Sequence, residues 1–333
     1  MEIVQKRLVW ADSLRGILIV LVVLGHAIQV TMGDKCYDNH LWNLIYSFHM
    51  PAFMAISGYL AYRPVGGGKS RTIVYRRMRQ LLVPFIIWTF LALIIDGNFT
   101  VDIIKERFLY PDKGFWFLWV LFIINVVFVL GNRISNMLNL ELEIVLLSLC
   151  LLFIATMVLF EIRIMGFQFI AYYFIFYSIG YFLHKFTDIF FCVKAFVLIL
   201  LLLLWSFLAW FWQMNAVPVF LKDIPLPATI IQYSYRFITA IVAICFLFAV
   251  SHRILSVAAK WNSFFINMGT ISLGIYTFHI IALGLIVNFY KSFLLSDSFV
   301  IGLSFFSCVL LSWVVVNLLY RWRVTAKWLL GKI

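Results

Sequence analysis

Charge is scarce in this sequence: 12% of its 333 residues are Asp, Glu, Lys or Arg, against about 25% in ordinary water-soluble domains. That leaves too little polar material to cover a soluble globule. Cysteines number five, Cys36, Cys150, Cys192, Cys245 and Cys308. None forms a Cys-x-x-Cys pair or stands at metal-ligand spacing from a histidine, so neither a structural disulfide nor a metal site is expected. The sequence has no internal repeat, no Ser/Pro/Gly linker and no composition break, so 1–333 reads as one domain. A nucleotide-binding loop is also missing. Gly68, Lys69 and Ser70 match the tail of a P-loop, but the glycine required five residues earlier is Arg63. The segment reads as a flexible loop.

What is present is apolar: 65% hydrophobic and 19% aromatic residues, with a mean hydropathy of +1.03. Runs reach or approach the ~20 residues that cross a ~30 Å hydrocarbon core. Ten fit: Asp12–Met32, Leu41–Tyr62, Ile73–Ile95, Phe115–Leu130, Leu142–Phe160, Phe167–Leu183, Phe190–Met214, Ala228–Val250, Phe265–Tyr290 and Phe299–Tyr320. The first is preceded by Lys6 and Arg7 like a signal peptide. It runs on to Met32 without a small-residue cleavage site, so it reads as a retained helix. In the third, Arg76, Arg77 and Arg79 occupy the first turns and Pro84 predicts a kink. The expected fold class is therefore all-α, a polytopic integral membrane bundle of about ten transmembrane helices.

Basic residues orient it. With the N-terminus inside, 18 of the 26 Lys and Arg residues fall on the inner face and seven on the outer, while Arg236 lies within a helix. The positive-inside rule then predicts both termini in the cytoplasm. The net charge of +12 is a topology signal; membrane lipids are expected partners and nucleic acid is not.

A few polar side chains sit where hydrocarbon is expected. Arg15 lies one turn into the first run, with Asp12 three residues earlier. A snorkelling arginine paired to that aspartate is a sufficient structural account. Yet His26 follows eleven residues later, about 1,100° around the helix, so the two share one stripe, ~16 Å apart along the axis. At 1.5 Å per residue, His26 and His279 lie roughly 21 Å above the inner surface, and His49 and Arg236 roughly 12 Å below the outer one. All four fall in the outer half of the core. An arginine at such depth costs ~2.5–3.5 kcal/mol and faces a partner or a wet cavity, which Gln232, one turn earlier, is expected to share. Each histidine alone is equally well explained by an interhelical hydrogen bond. Their common depth points to a site in which imidazole does general-base work. Arg76, Arg77 and Arg79 fit two readings, topology with anionic lipid or phosphate clamping.

Taken in order, these segments resemble the acyltransferase-3 family, particularly its sugar O-acetylases similar to fucose 4-O-acetylase. WADSLRGILIVLVVLGH, with Arg15 and His26, is similar to the family's first-helix signature. SFHMPAFMAISGY, with His49, Pro51, Phe53, Ser57 and Gly58, resembles its second-helix motif, and YRRMRQLLVP its Arg-x-Arg element, here Arg77 and Arg79 beside Arg76. FWFLWVLF, YSIGY and SLGIYTFH, ending at His279, resemble later helices. The resemblance implies a single acyltransferase-3-like transmembrane domain that transfers an acyl group, usually acetyl from acetyl-CoA, to a carbohydrate hydroxyl. It implies that Arg15 and His26 are essential and that the inner arginines bind the donor. His49, Arg236 and His279 are then expected to orient the acceptor or stabilise the oxyanion. Acetyl-CoA is expected as a cosubstrate with no permanently bound cofactor and no metal. The acceptor is expected to be a carbohydrate or lipid-linked glycan, and the location the bacterial cytoplasmic membrane. The competing readings are a secondary transporter or glycan flippase, for which buried charge is equally natural, and a non-catalytic accessory subunit. Against the transporter stands the lack of internal symmetry and of paired glycine-broken helices.

Overall fold

A computed structural model of the chain describes residues 8–62, 70–97, 99–111, 114–160, 162, 164–187, 193–255 and 262–332. The loop expected around Gly68 and Lys69, Cys192, and the basic residues Lys6 and Arg7 lie outside them. Among the described residues there are helices and turns and no strand. Hydrocarbon offers backbone groups no partner, so a chain this apolar satisfies them within helices.

Each of the ten apolar runs contains helix among its described residues. Eight segments are long and apolar enough to cross a membrane: Val9–Asp38, His40–Ala61, Thr72–Ile95, Trp116–Leu138, Ile164–Lys185, Ala228–Leu255, Ser272–Lys291 and Asp297–Arg321. The fifth and seventh runs give shorter apolar stretches, Leu142–Met157 and Ala195–Trp210. Large side chains such as Leu147, Phe207, Phe299 and Phe306 point outward from these helices. An apolar surface of that extent belongs in lipid. The protein is a polytopic helical membrane protein.

The described residues cluster into two compact units, each drawn from two stretches of chain. One comprises Met1–Ile56 and Lys185–Val316, the other Ser57–His184 and Asn317–Ile333.

In the first unit, α1 (Val9–Met32) packs against α2 (His40–Tyr46), α11 (Ala228–Leu255), α12 (Ser263–Thr270) and α13 (Ser272–Lys291). Its closest neighbour is α12, and two glycines make that approach feasible. A Cβ on Gly16 would run into the Phe265 carbonyl, and one on Gly269 into the Asp12 carbonyl. Two expected helices prove to be broken. The second is interrupted at Ser47–Phe48, between α2 and α3 (His49–Ala61). Pro51 explains this: proline is tolerated in a first turn but not in a helix interior, so α3 has to start close before it. The ninth is broken at Ile271, between α12 and α13, two residues after Gly269. These breaks remove helix continuity as an argument against a transporter. α10 (Ala195–Trp210) packs on α2 and α11.

In the second unit, α4 (Ser70–Arg77) passes into a π-helical turn at Met78–Leu82 and then α5 (Val83–Ile95). The kink expected at Pro84 takes this form: its ring excludes the Gln80 carbonyl from the ordinary i→i−4 bond, and the turn widens. Gly331, at φ +63°, lies against that carbonyl with no room for a side chain. Trp88 Nε1 donates to the Leu329 carbonyl at 2.8 Å, which fastens the stretch after α14 (Asp297–Arg321) and α15 (Arg323–Trp328) to α5. Also in this unit are α6 (Val101–Leu109), a helix with no buried residue that the apolar pattern did not reveal, α7 (Trp116–Leu138), α8 (Leu142–Phe160) and α9 (Phe167–Lys185).

Candidate active site

The site is built on α1, in the first unit. Near its start, Arg15 Nη2 donates to Ser272 Oγ at 2.8 Å, and Nη1 lies 3.7 Å from Asp12 Oδ1. The snorkelling pair with Asp12 is present, and a second bond ties α1 to the first residue of α13. Eleven residues on, about 16 Å along an unbroken helix, the same stripe presents His26. Arg15 does not reach it.

Around His26 the structure gathers the other two histidines singled out by depth. Its ring centroid is 5.2 Å from that of His279 on α13 and 6.4 Å from that of Tyr46 on α2. Tyr46 in turn meets His49, the first residue of α3, edge-on at 4.7 Å. His49 and His279 are buried, whereas His26 is only partly so. Their hydrogen bonds set their chemistry. His49 Nδ1 lies 2.7 Å from the Ile45 carbonyl, and His279 Nδ1 lies 2.9 Å from the Ile275 carbonyl. A carbonyl oxygen only accepts, so Nδ1 carries the proton in both and Nε2 keeps its lone pair. His279 Nε2 is buried with no hydrogen-bond partner among the described residues. A neutral imidazole held this way accepts a hydrogen bond from a hydroxyl and has no N–H for an oxyanion. The pair therefore suits acceptor orientation, the first of the two roles expected of it.

Arg236 on α11 lies among aromatic side chains. Its guanidinium carbon lies 5.6 Å above the Trp212 ring and 5.6 Å from that of Tyr233. Trp212 belongs to a buried cluster with Ile28, Cys36, Trp42 and Tyr235, and Trp42 stacks on Tyr46 at 3.8 Å. Arg236 thus reaches the histidines through an aromatic bridge. Gln232, expected beside it, instead donates to the Met214 carbonyl at 2.6 Å.

The three inner arginines belong to the second unit. Arg76 is exposed, while Arg77 and Arg79 are partly buried. Arg77 Nη1 donates to Gln80 Oε1 at 3.1 Å, and Arg79 lies over the Tyr75 ring at 5.8 Å. Arg79 sits within the π-helical turn, a distortion frequent at functional sites.

A sequence profile described as an acyltransferase domain, that of the acyltransferase-3 family, matches residues 8–317. The chain belongs to the acyltransferase-3 family. Among curated proteins, this family member is 34% identical over 143 residues to nodulation protein NolL of Sinorhizobium fredii, covering 38% of this chain and 37% of the relative. It is 33% identical over 136 residues to nodulation protein NolL of Mesorhizobium japonicum, covering 37% of this chain and 36% of that relative. The matched region thus spans little more than a third of each curated relative. No solved structure matches.

Residues that sequence reasoning passed over stand around these candidate side chains: Gln29, Tyr46, Ser272 and Trp212. Gln29 carried a usable signal, since it follows His26 at i+3 on the same face of α1. Tyr46 carried none, because the break at Ser47–Phe48 resets the helical phase.

Proposed function

We propose that this protein is a membrane O-acyltransferase that moves an acetyl group from cytoplasmic acetyl-CoA to a hydroxyl of a carbohydrate or lipid-linked glycan, in the bacterial cytoplasmic membrane. The observation that carries the reading is the partly buried His26, grouped with two histidines that offer only lone pairs, in a chain of an acyltransferase family.

In this reading His26 takes the proton of the acceptor hydroxyl while that oxygen bonds to the thioester carbonyl carbon. The tetrahedral oxyanion collapses, the C–S bond breaks, and the CoA thiolate leaves with the proton held by His26. His49 and His279 accept hydrogen bonds from acceptor hydroxyls. Arg236, fixed over Trp212, supplies the positive charge on the acceptor side, where charge develops in the transition state. Arg15 contributes by holding α1 to α13, and thereby His26 beside His279. Arg77 and Arg79 clamp the donor phosphates, since a guanidinium fork fits phosphate oxygens. Family membership favours transfer chemistry over the transporter.

Purified protein in nanodiscs, given acetyl-labelled acetyl-CoA and a panel of glycans, should release CoA and label one glycan, and His26→Ala should abolish both. Labelling that survives in His26→Ala would overturn the assignment. Movement of glycan across the bilayer without labelling would favour the flippase.

A further inference from the structure

A base has to show its lone pair to the substrate, and a free imidazole interconverts between two tautomers. Around His26 the side chain placed to fix this is Gln29. It lies one turn along α1, in side-chain reach of His26 at i+3. From α2, the Tyr46 hydroxyl donates to Gln29 Oε1 at 2.9 Å, which aims that oxygen at the ring cluster. Tyr46 is itself held, stacked on Trp42 at 3.8 Å and edge-on to His49 at 4.7 Å. An amide oxygen has two lone pairs, so Oε1 accommodates a second donor beside Tyr46. His279 does not do this work: its only N–H is committed to the Ile275 carbonyl, and its Nε2 has no hydrogen-bond partner among the described residues.

We propose that Gln29 is the positioning residue of the acyl-transfer base: its Oε1, aimed by Tyr46, accepts a hydrogen bond from one ring nitrogen of His26 and leaves the other bare for the acceptor hydroxyl. The inference rests on His26 acting as the base. When the bare nitrogen takes the substrate proton, the imidazolium N–H bonded to Gln29 becomes a charge-assisted donor and strengthens. The arrangement therefore favours the protonated intermediate as well as the reactive tautomer. Tyr46 acts through Gln29, and the two form one unit.

Two readouts test this. The first needs no turnover. The chain has six histidines, so nitrogen-15 spectra of labelled protein, with and without His26→Ala, assign the His26 ring. Wild type should show one protonated and one bare ring nitrogen, and Gln29→Leu should average the two. The second is steady-state kinetics. Gln29→Leu should lower kcat about 10- to 100-fold, as misplacement of a reacting group does, with KM for acetyl-CoA unchanged. Gln29→Glu, which keeps an accepting oxygen and loses the NH₂, should restore most of the rate. Tyr46→Phe keeps the ring and should lower kcat several-fold in wild type and not at all in Gln29→Leu, the non-additivity of residues acting as a unit. If Gln29→Leu fails to insert, Tyr46→Phe carries both readouts alone. An unshifted His26 spectrum, a normal kcat in the variants, or additive effects would overturn the proposal. Transfer that survives His26→Ala would instead sink the base itself.

Discussion

His26 is the one histidine of the cluster that is only partly buried, and its replacement separates chemistry from packing. Glutamine preserves size and hydrogen bonding but takes no proton near neutrality. His26→Gln should therefore lose about 10²- to 10⁴-fold in turnover, the usual worth of a general base, while the protein still inserts and elutes as wild type from size exclusion. Near-normal turnover would remove the base. The arginines divide differently. Loss of one charge-assisted contact costs ~1.5–3 kcal/mol, roughly ten- to more than a hundred-fold in binding. Arg77→Ala and Arg79→Ala should raise KM for acetyl-CoA by that factor. Arg76→Ala should do so far less, because Arg76 is exposed and its neighbours Arg77 and Arg79 are partly buried. Arg236→Ala should raise KM for the acceptor and spare that for the donor. Kinetics with each substrate varied in turn decides the matter; an unchanged donor KM in both Arg77→Ala and Arg79→Ala would reduce them to topology signals.

The helix pair α1 and α12 shows what close backbone contact does for the site. Gly16 and Gly269 each face a carbonyl of the other helix, and backbone cannot swing aside as a side-chain end does. Gly269→Ala should destabilise by about 1–3 kcal/mol, the usual range for overpacking. It should also lower activity by shifting α1, visible as a lower unfolding temperature in detergent and reduced turnover. Wild-type stability in Gly269→Ala would mean that the helices yield. Such contacts mark the limit of what the sequence discloses. The polytopic helical bundle was legible because length and hydropathy suffice in lipid, with eight segments long and apolar enough to cross, and so was the convergence of His26, His49 and His279, because residue counts convert to depth. The break before His49 was readable from Pro51, but the break at Ile271 has no proline to announce it. Nor does any local pattern tell that Arg15 reaches Ser272, 257 residues away, or that Gln232 turns to a loop carbonyl. Those pairings exist only once α1, α11 and α13 are packed.

For the protein as a whole, the positive-inside surplus predicts both termini in the cytoplasm and ten crossings. Cys36 is 1% exposed and a poor probe, so single cysteines belong elsewhere, on a cysteine-free background. Lys222→Cys and Arg133→Cys replace exposed residues assigned to opposite faces. A membrane-impermeant maleimide added to intact cells should label the cysteine at 222 and spare the one at 133; the reverse pattern would invert the topology.

The first unit is assembled from residues up to Ile56 and from Lys185 onward, which has a consequence for the timing of synthesis. A ribosome that has just delivered His49 must add about 230 more residues before His279 emerges, roughly 10–50 s at ordinary elongation rates. For most of that interval α1 stands in the membrane with His26 and without α11, α12 and α13, the helices that flank it in the finished protein. Arg15 waits for Ser272, 257 residues later. A nascent chain of this protein thus holds His26 without His279 until its last third is made, and its polar side chains need shelter from lipid in the meantime.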